Sequence, residues 1–339
     1  MDAYYSSPDT SFYDNALERK YYEQKLRHIG FKPYPKDGLI TFGASGTAKC
    51  DREIVFKNGR VKAEKSADIP FRGRQRRQGT AIVDYLQLDI IHAPKRLGSV
   101  KFRMAQRDNG EWDFEDAAQE RVVFTHPNPE TGELVSFAIT AKPDGKFEYM
   151  PDGSRVILEY KTKASGLRAM NGKLDFKGAQ DDHKRQVVAE ALVFGIDEAL
   201  IVYESTQKPS WFSDEESSSV TKGQKTWKEG VPLPDLRAFY VRITDAMKTQ
   251  LLNDLARQAS LVYEAQKTGA VPDVSVEMTG KCGFCAFRGH CAKTLTAENR
   301  ALLERAESRM ASGSMAGKED HKYLRQYLAT VPEDTKEAA

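Results

Sequence analysis

Apolar and polar residues alternate along the middle third of the chain with a period close to two. ERVVFTH (120–126) and ELVSFAITAKPDG (133–145) are joined by the turn-forming NPETGE, and KFEYM (146–150) meets RVILEYKT (155–162) across the turn PDGS. These patterns predict hairpins, with 155–162 the strongest strand. The period then changes. In DDHKRQVVAEALVFG (181–195) apolar residues fall at 187, 188, 191 and 192, one face of a helix, and EALIVYES (198–205) returns to strand. LRAFYVRIT (236–244) is strand-like, and from Asp245 to about Lys267 apolar residues at 251, 252, 255, 259, 262 and 263 predict a long amphipathic helix. Upstream, residues 1–35 read as one or two short helices ending before Pro33 and Pro35, and a further helix begins near Cys50. The order strand-strand-strand-helix-strand predicts an α/β fold with a mixed central sheet flanked by helices. Three parts are expected: a helical extension over 1–40, one domain over 41–295 and a charged helical tail over 296–339. Within the domain, the Ser-, Lys- and Glu-rich stretch 205–232, with Trp211 and Trp227, reads as a surface loop or insertion. No internal repeat is visible.

Composition narrows the classes. The chain has 339 residues, 40% of them hydrophobic and 29% charged, enough apolar material for a core and too much for a wholly disordered chain. No run of 18 apolar residues exists, so no transmembrane helix and no membrane partner is expected. The polar start, MDAYYSSPDTSFYDN, lacks the apolar stretch of a secretory signal, and a cytoplasmic protein is expected. The 51 Lys and Arg nearly balance 49 Asp and Glu, for a net charge of +2. That balance conceals segregation. Arg72, Arg74, Arg76 and Arg77 precede an apolar helix, and Lys163, Arg168, Lys173 and Lys177 follow the strongest strand. These are candidate phosphate contacts, each of which also fits a solvated surface charge. The glycines of GASGTAK lack the spacing of a phosphate-binding P-loop, which excludes an NTPase of that type.

The four cysteines are Cys50, Cys282, Cys285 and Cys291, too few for a secreted disulfide scaffold. The last three lie in GKCGFCAFRGHC, and a C-x2-C turn places two sulfurs on one side of the chain, where they can share a metal centre. Cys50 is the remaining thiol, with His290 an alternative fourth ligand. Spacing alone fits a structural zinc and an iron–sulfur cluster equally well.

With 49 acids and 51 bases in 339 residues, acid-x-base triplets arise by chance about seven times, so a Glu-x-Lys triplet alone carries nothing. Glu159-Tyr160-Lys161 differs in its context, because it ends the Val-Ile-Leu strand, where period-two geometry puts Glu159 and Lys161 on one face. The turn at Pro151–Ser154 folds the preceding strand back and brings Asp144 near Glu159, while Asp152 is read as a turn former. Two carboxylates beside a lysine suit Mg2+ or Mn2+, with coordination positions left for water and a phosphate. Lys161 is then placed to help generate hydroxide or to stabilise phosphate charge, and Glu120 is a candidate further ligand or base. The same groups also fit a cross-strand ladder of surface ion pairs.

Together these residues resemble the PD-(D/E)XK nuclease superfamily, and within it the RecB-like exonuclease branch that carries a cysteine-bound iron–sulfur cluster. AddB-type nucleases, CRISPR-associated RecB-like nucleases and their phage relatives belong to that branch. One cysteine before the nuclease core and C-x2-C-x5-C after it match Cys50, Cys282, Cys285 and Cys291 in order and spacing. Asp144, Glu159, Lys161 and Gln186 on the following helix match the metal-binding motifs and the helix glutamine. The resemblance covers about residues 40–295. It implies a restriction-endonuclease-like core, a [4Fe–4S] cluster rather than zinc joining the N- and C-terminal segments, and metal-dependent hydrolysis of DNA from an end. It also implies the Tyr160 carbonyl as a further metal ligand, and a role for Gln186 in orienting a group or contacting DNA. The expected setting is recombination, repair or phage replication, with recombination proteins as partners. The alternative is a catalytically silent DNA-binding subunit of a recombination or CRISPR-adaptation complex. Two positions depart from the family. Its first-helix histidine is replaced by Val83 or Asp84, and the tyrosine four residues after the glutamine is replaced by Glu190.

Overall fold

In the computed structural model the described residues are 1–6, 14–30, 35–64, 70–207, 234–274, 282, 285–311 and 318–329. The order is α1 (Asp2–Tyr5), α2 (Asn15–His28), β1 (Thr41–Gly43), α3 (Asp51–Asn58), α4 (Pro70–Leu97), β2 (Phe102–Met104), β3 (Glu120–Pro127), β4 (Leu134–Ala141), β5 (Gly145–Tyr149) and β6 (Ser154–Lys163). Then come α5 (Leu167–Lys177), α6 (Asp181–Phe194), β7 (Glu198–Ser205), β8 (Leu236–Arg242), α7 (Asp245–Thr268), α8 (Arg288–Lys293), α9 (Ala297–Ala311) and α10 (Lys318–Leu328).

The fold is α/β, but among the described residues the strands form two mixed sheets where one was expected. A five-stranded sheet runs β2-β5-β6-β7-β8, and a separate three-stranded sheet runs β1-β4-β3. The physical reason lies at Lys142–Asp144, between β4 and β5. There the chain leaves one sheet and enters the other, so the two hairpins expected to be neighbours are layers instead. In the larger sheet β6 and β7 are parallel, with Glu159 opposite Ile201 and Lys161 opposite Tyr203, and the other pairs are antiparallel. A parallel pair needs a crossover, which α5 and α6 supply. The segment 167–177, legible in sequence only as a basic run, is the helix α5. Most of the expected insertion at 205–232 lies outside the described residues.

Helix α6 lies between the layers, against β6 and β7 on one side and β3, β4 and α7 on others. Six consecutive residues, Gln186 to Ala191, are buried. A helix covered on one face buries residues only at intervals of three and four, so this run requires cover on nearly every side. The helix stops at Gly195, which takes the left-handed conformation (φ +66°) that a side chain would resist. Helix α7 is capped by the Thr244 side chain, which accepts from Met247 N, and ends at Gly269. One apolar core packs α6 and α7 between the sheets, with Phe137, Ile157, Val187, Ile201 and Leu255 at its centre. A second packs α2 and α4 on the far face of β5–β7, through Tyr21, Leu88, Phe114, Leu158 and Tyr160. A third holds the carboxy-terminal helices to the cysteine segment through Ala292, Leu303, Leu324 and Tyr327. No helix among the described residues is long and apolar enough to cross a membrane.

Candidate active site

The pleat of β6 sends its residues to opposite layers. Leu158 and Tyr160 enter the core under α4, while Glu159 turns towards Gln186 on α6. Lys161 follows on the Glu159 side and contacts both groups. Asp144 stands one residue before β5. Its N–H donates to Leu158 O at 3.1 Å, and its carboxylate accepts from Tyr160 N at 2.6 Å. Asp144 is therefore fixed to the backbone of the strand that carries Glu159 and Lys161.

The side chains then close into a network. Lys161 Nζ pairs with Glu159 Oε1 and donates to Gln186 Oε1 at 3.1 Å. Gln186 Nε2 donates to Glu159 Oε2 at 2.7 Å and to Glu190 Oε1 at 3.0 Å. Glu159 is only 2% exposed and Glu190 fully buried. Burial, and next the Glu159 charge, hold the Asp144 carboxyl well above the usual carboxylate range. Burial raises Glu159 too, against the opposing pull of Lys161 and Gln186. Burial disfavours the Lys161 ammonium, but the charge and hydrogen bond of Glu159 together with the Asp144 and Glu190 charges outweigh it and raise Lys161 above the usual lysine range.

A residue unremarked in the sequence joins this group. The charge of Glu115 acts on both Asp144 and Glu159. Its neighbour Phe114 bridges to Gly145, its N–H donates to Gln87 Oε1 at 3.3 Å, and its carboxylate pairs with Lys142 at 2.9 Å. Glu120, the expected extra ligand, begins β3 in the other sheet, exposed and opposite Ala141. Only the bridge of residue 114 to residue 145 favours the nearer acid, and nothing in local sequence announces such a bridge. Asp84, at the departing family position, pairs with Lys25, and Val83 lies in the core.

Helix α4 approaches the carboxy-terminal end of β6 closely. A Cβ on Gly79 would lie 2.9 Å from Thr162 Oγ1, so the glycine sets that distance. Arg72 is also in this helix, and Arg74, Arg76 and Arg77 are exposed on it. Arg168, Lys173 and Lys177 are carried by α5. Lys163 differs from these. Half-buried, it sits 5.1 Å from the Tyr203 ring centre and donates to Gln180 Oε1 at 3.1 Å. Burial, and then the Lys173 charge, lower its pKa to about 8.

The four cysteines converge from α3 and the 282–291 segment. Burial raises the Cys50 thiol to about 11, and the Cys282 thiol, raised by burial, also feels Cys50, Cys291 and Cys285. Arg52 Nε and Tyr327 OH donate to Cys291 Sγ at 3.1 and 3.2 Å, while Glu53 N and Phe287 N approach Cys50 and Cys285 sulfurs at 3.4 Å. Such donors favour thiolate over thiol. His290 packs its ring on Phe56, 4.7 Å between centres. Among the described residues, no three His, Cys, Asp or Glu side chains are spaced to hold a single metal ion as they stand.

No family model and no curated protein matches the chain. Solved structures of exonucleases share part of its chain path. An alkaline exonuclease, LHK-Exo from Laribacter hongkongensis, is 12% identical with a TM-score of 0.33, over 68% of this chain and 93% of that one. A phage-related exonuclease from Haemophilus somnus is 11% identical with a TM-score of 0.31, over 65% and 82%. The protein SSO0001 is 14% identical with a TM-score of 0.37, over 83% and 95%.

Proposed function

We propose that the chain is a metal-dependent DNA exonuclease with a restriction-endonuclease-like core. The observation that carries this reading is the network in which Asp144 is hydrogen-bonded to the backbone of the strand that carries Glu159 and Lys161, and Gln186 ties Glu159 to Lys161. A surface ion-pair ladder is a poor account of it, because Glu159 is 2% exposed. Buried carboxylates raised by burial and mutual repulsion are the donor set a divalent cation relieves.

Asp144, Glu159 and the Tyr160 carbonyl would hold Mg2+ or Mn2+, with Glu115 a further carboxylate nearby. When bound, the ion activates water and neutralises phosphate charge. Lys161 presents a fixed ammonium to the charge that develops on the phosphate, and Gln186 orients it. Arg72, Arg74, Arg76 and Arg77 on α4, with Lys163 and Arg168 beyond the site, would follow the phosphate backbone. Cys50, Cys282, Cys285 and Cys291 would hold a [4Fe–4S] cluster as a structural staple, zinc being the alternative occupant. The four thiols and the donors to their sulfurs fit such a group chemically. Recombination, repair or phage replication is the proposed setting, in the cytoplasm, with recombination proteins as partners.

The test is incubation of protein purified without oxygen with end-labelled single- and double-stranded DNA. Label is released as short products with Mn2+ and retained in EDTA. DNA left intact under both conditions contradicts the reading.

Two pH effects follow. Asp144, Glu159 and Glu190 have folded-state pKa values above those of the unfolded chain, so the native state holds more protons. Their contribution to stability is full below the unfolded carboxylate pKa of about 4 and falls as pH rises through the folded values. In EDTA the melting temperature should therefore carry a component that declines from pH 5 to 8, and Mn2+ should raise it more at pH 8 than at pH 5. Calorimetric melts at the two pH values check this. The second effect belongs to Lys163, which is charged below about 8 and neutral above it. DNA binding measured by anisotropy in EDTA should weaken between pH 7 and 9 more for the wild type than for Lys163→Gln.

A further inference from the structure

Glu190 is a costly residue where it stands. Helix α6 is covered on nearly all sides, Glu190 is 0% exposed, and its Oε2 is buried without a hydrogen-bond partner among the described residues. An apolar side chain of similar volume would suit that position better if packing alone mattered. What Glu190 does have is one defined contact. Its Oε1 accepts from Gln186 Nε2 at 3.0 Å, one helical turn away.

That contact completes the valence of the Gln186 amide. Its nitrogen has two hydrogens, and the acceptors are Glu159 Oε2 at 2.7 Å and Glu190 Oε1. Its oxygen takes the Lys161 ammonium at 3.1 Å. Rotating the amide by half a turn would set its oxygen against two carboxyl groups and its NH2 against an ammonium. One orientation therefore survives, and Glu190 is the group that closes it off from behind.

We propose that Glu190 is a positioning residue of the site, fixing the Gln186 amide with nitrogen towards Glu159 and oxygen towards Lys161 and so holding the cation-binding carboxylate and the lysine in mutual register. The proposal rests on the nuclease reading for its purpose, but not for its geometry. Burial, and next the Glu159 charge, keep the Glu190 carboxyl well above the usual range. A glutamine at 190 supplies the same acceptor. A leucine supplies none.

The test compares wild type, Glu190→Gln, Glu190→Leu, Gln186→Leu and the double Leu variant, all confirmed folded by circular dichroism. Mn2+ affinity is measured by calorimetry, and kcat and KM on end-labelled DNA. Glu190→Leu should weaken Mn2+ binding and lower kcat by about 10-fold each, with KM for DNA unchanged, as loss of groups that orient a metal ligand typically does. Glu190→Gln should stay within about threefold of wild type by the same scale. The double variant should be no worse than Gln186→Leu, because the effect passes through that amide. Equal damage from Gln and Leu at 190, or a full additional loss in the double variant, overturns the proposal. If Glu190→Leu does not fold, Glu190→Met takes its place, and a loss of about 10-fold in Glu190→Gln is still decisive against it. A wild type that binds Mn2+ but leaves DNA intact would count against the nuclease reading alone, since the calorimetric cycle still tests the positioning role.

Discussion

Lys161→Ala should slow release of label from DNA ends by roughly 100- to 1,000-fold while leaving the fold intact, the range found when one preorganised charge-stabilising donor is removed. The fold should survive because the Lys161 side chain is 25% exposed and contributes to no apolar cluster. Two costs partly offset in the ground state. Removing the ammonium takes away the partner of a buried carboxylate, yet Gln186 still donates to Glu159 at 2.7 Å. Burial already favours the protonated acid there, so Glu159 can take up a proton in the variant. Apparent Mn2+ affinity should therefore become more dependent on pH than in wild type. Circular dichroism, calorimetry and the end-label assay on one preparation separate these effects. A variant as active as wild type would remove Lys161 from the chemistry.

Cys50→Ser should cost more stability than any single apolar truncation in the core. Cys50 caps the start of α3, and Cys282 lies 232 positions further on, so the proposed metal group shared by the four sulfurs would close most of the chain into one loop. By loop-closure entropy a cross-link of that span is worth about 5 kcal/mol. The neighbourhood would lose its order too. Arg52 is 3% exposed and donates to Cys291 Sγ, to Pro272 O at 2.8 Å and to Thr294 Oγ1 at 2.6 Å. Tyr327 ties α10 to the same sulfur at 3.2 Å. The expected signs are loss of the iron that a cluster would bring and of its visible absorbance, and a lower melting temperature. Zinc recovered in stoichiometric amount from a colourless wild type would replace the cluster by a zinc staple without altering the stability prediction.

The parts legible in sequence were those in which side-chain period and chemistry agree locally. Val156-Ile157-Leu158 ahead of Glu159 and Lys161 marked a buried strand ending in charge, and Val187, Val188 and Ala191 marked the helix that covers it. The apolar positions from 251 to 263 marked α7. What local pattern could not show was how strands sort between layers. Strands β1 and β2 have three residues each, too few for a period to register, and β3–β4 carries the same alternation whether it joins β5 or leaves it. Glu115 escaped notice for the same reason, since only the pairing of Phe114 with Gly145 gives it a place near Asp144. Glu190 was visible only as a family departure, and its burial between two sheets is a tertiary fact.

The most direct measurement is the single-turnover rate of label release from DNA ends with Mn2+, for wild type and for Glu159→Gln purified side by side without oxygen. That substitution keeps the shape of the side chain and removes the charge that would hold the cation. Wild type should release label, and the variant should do so at least about 100-fold more slowly. Equal rates, or no release by wild type, would contradict the nuclease reading.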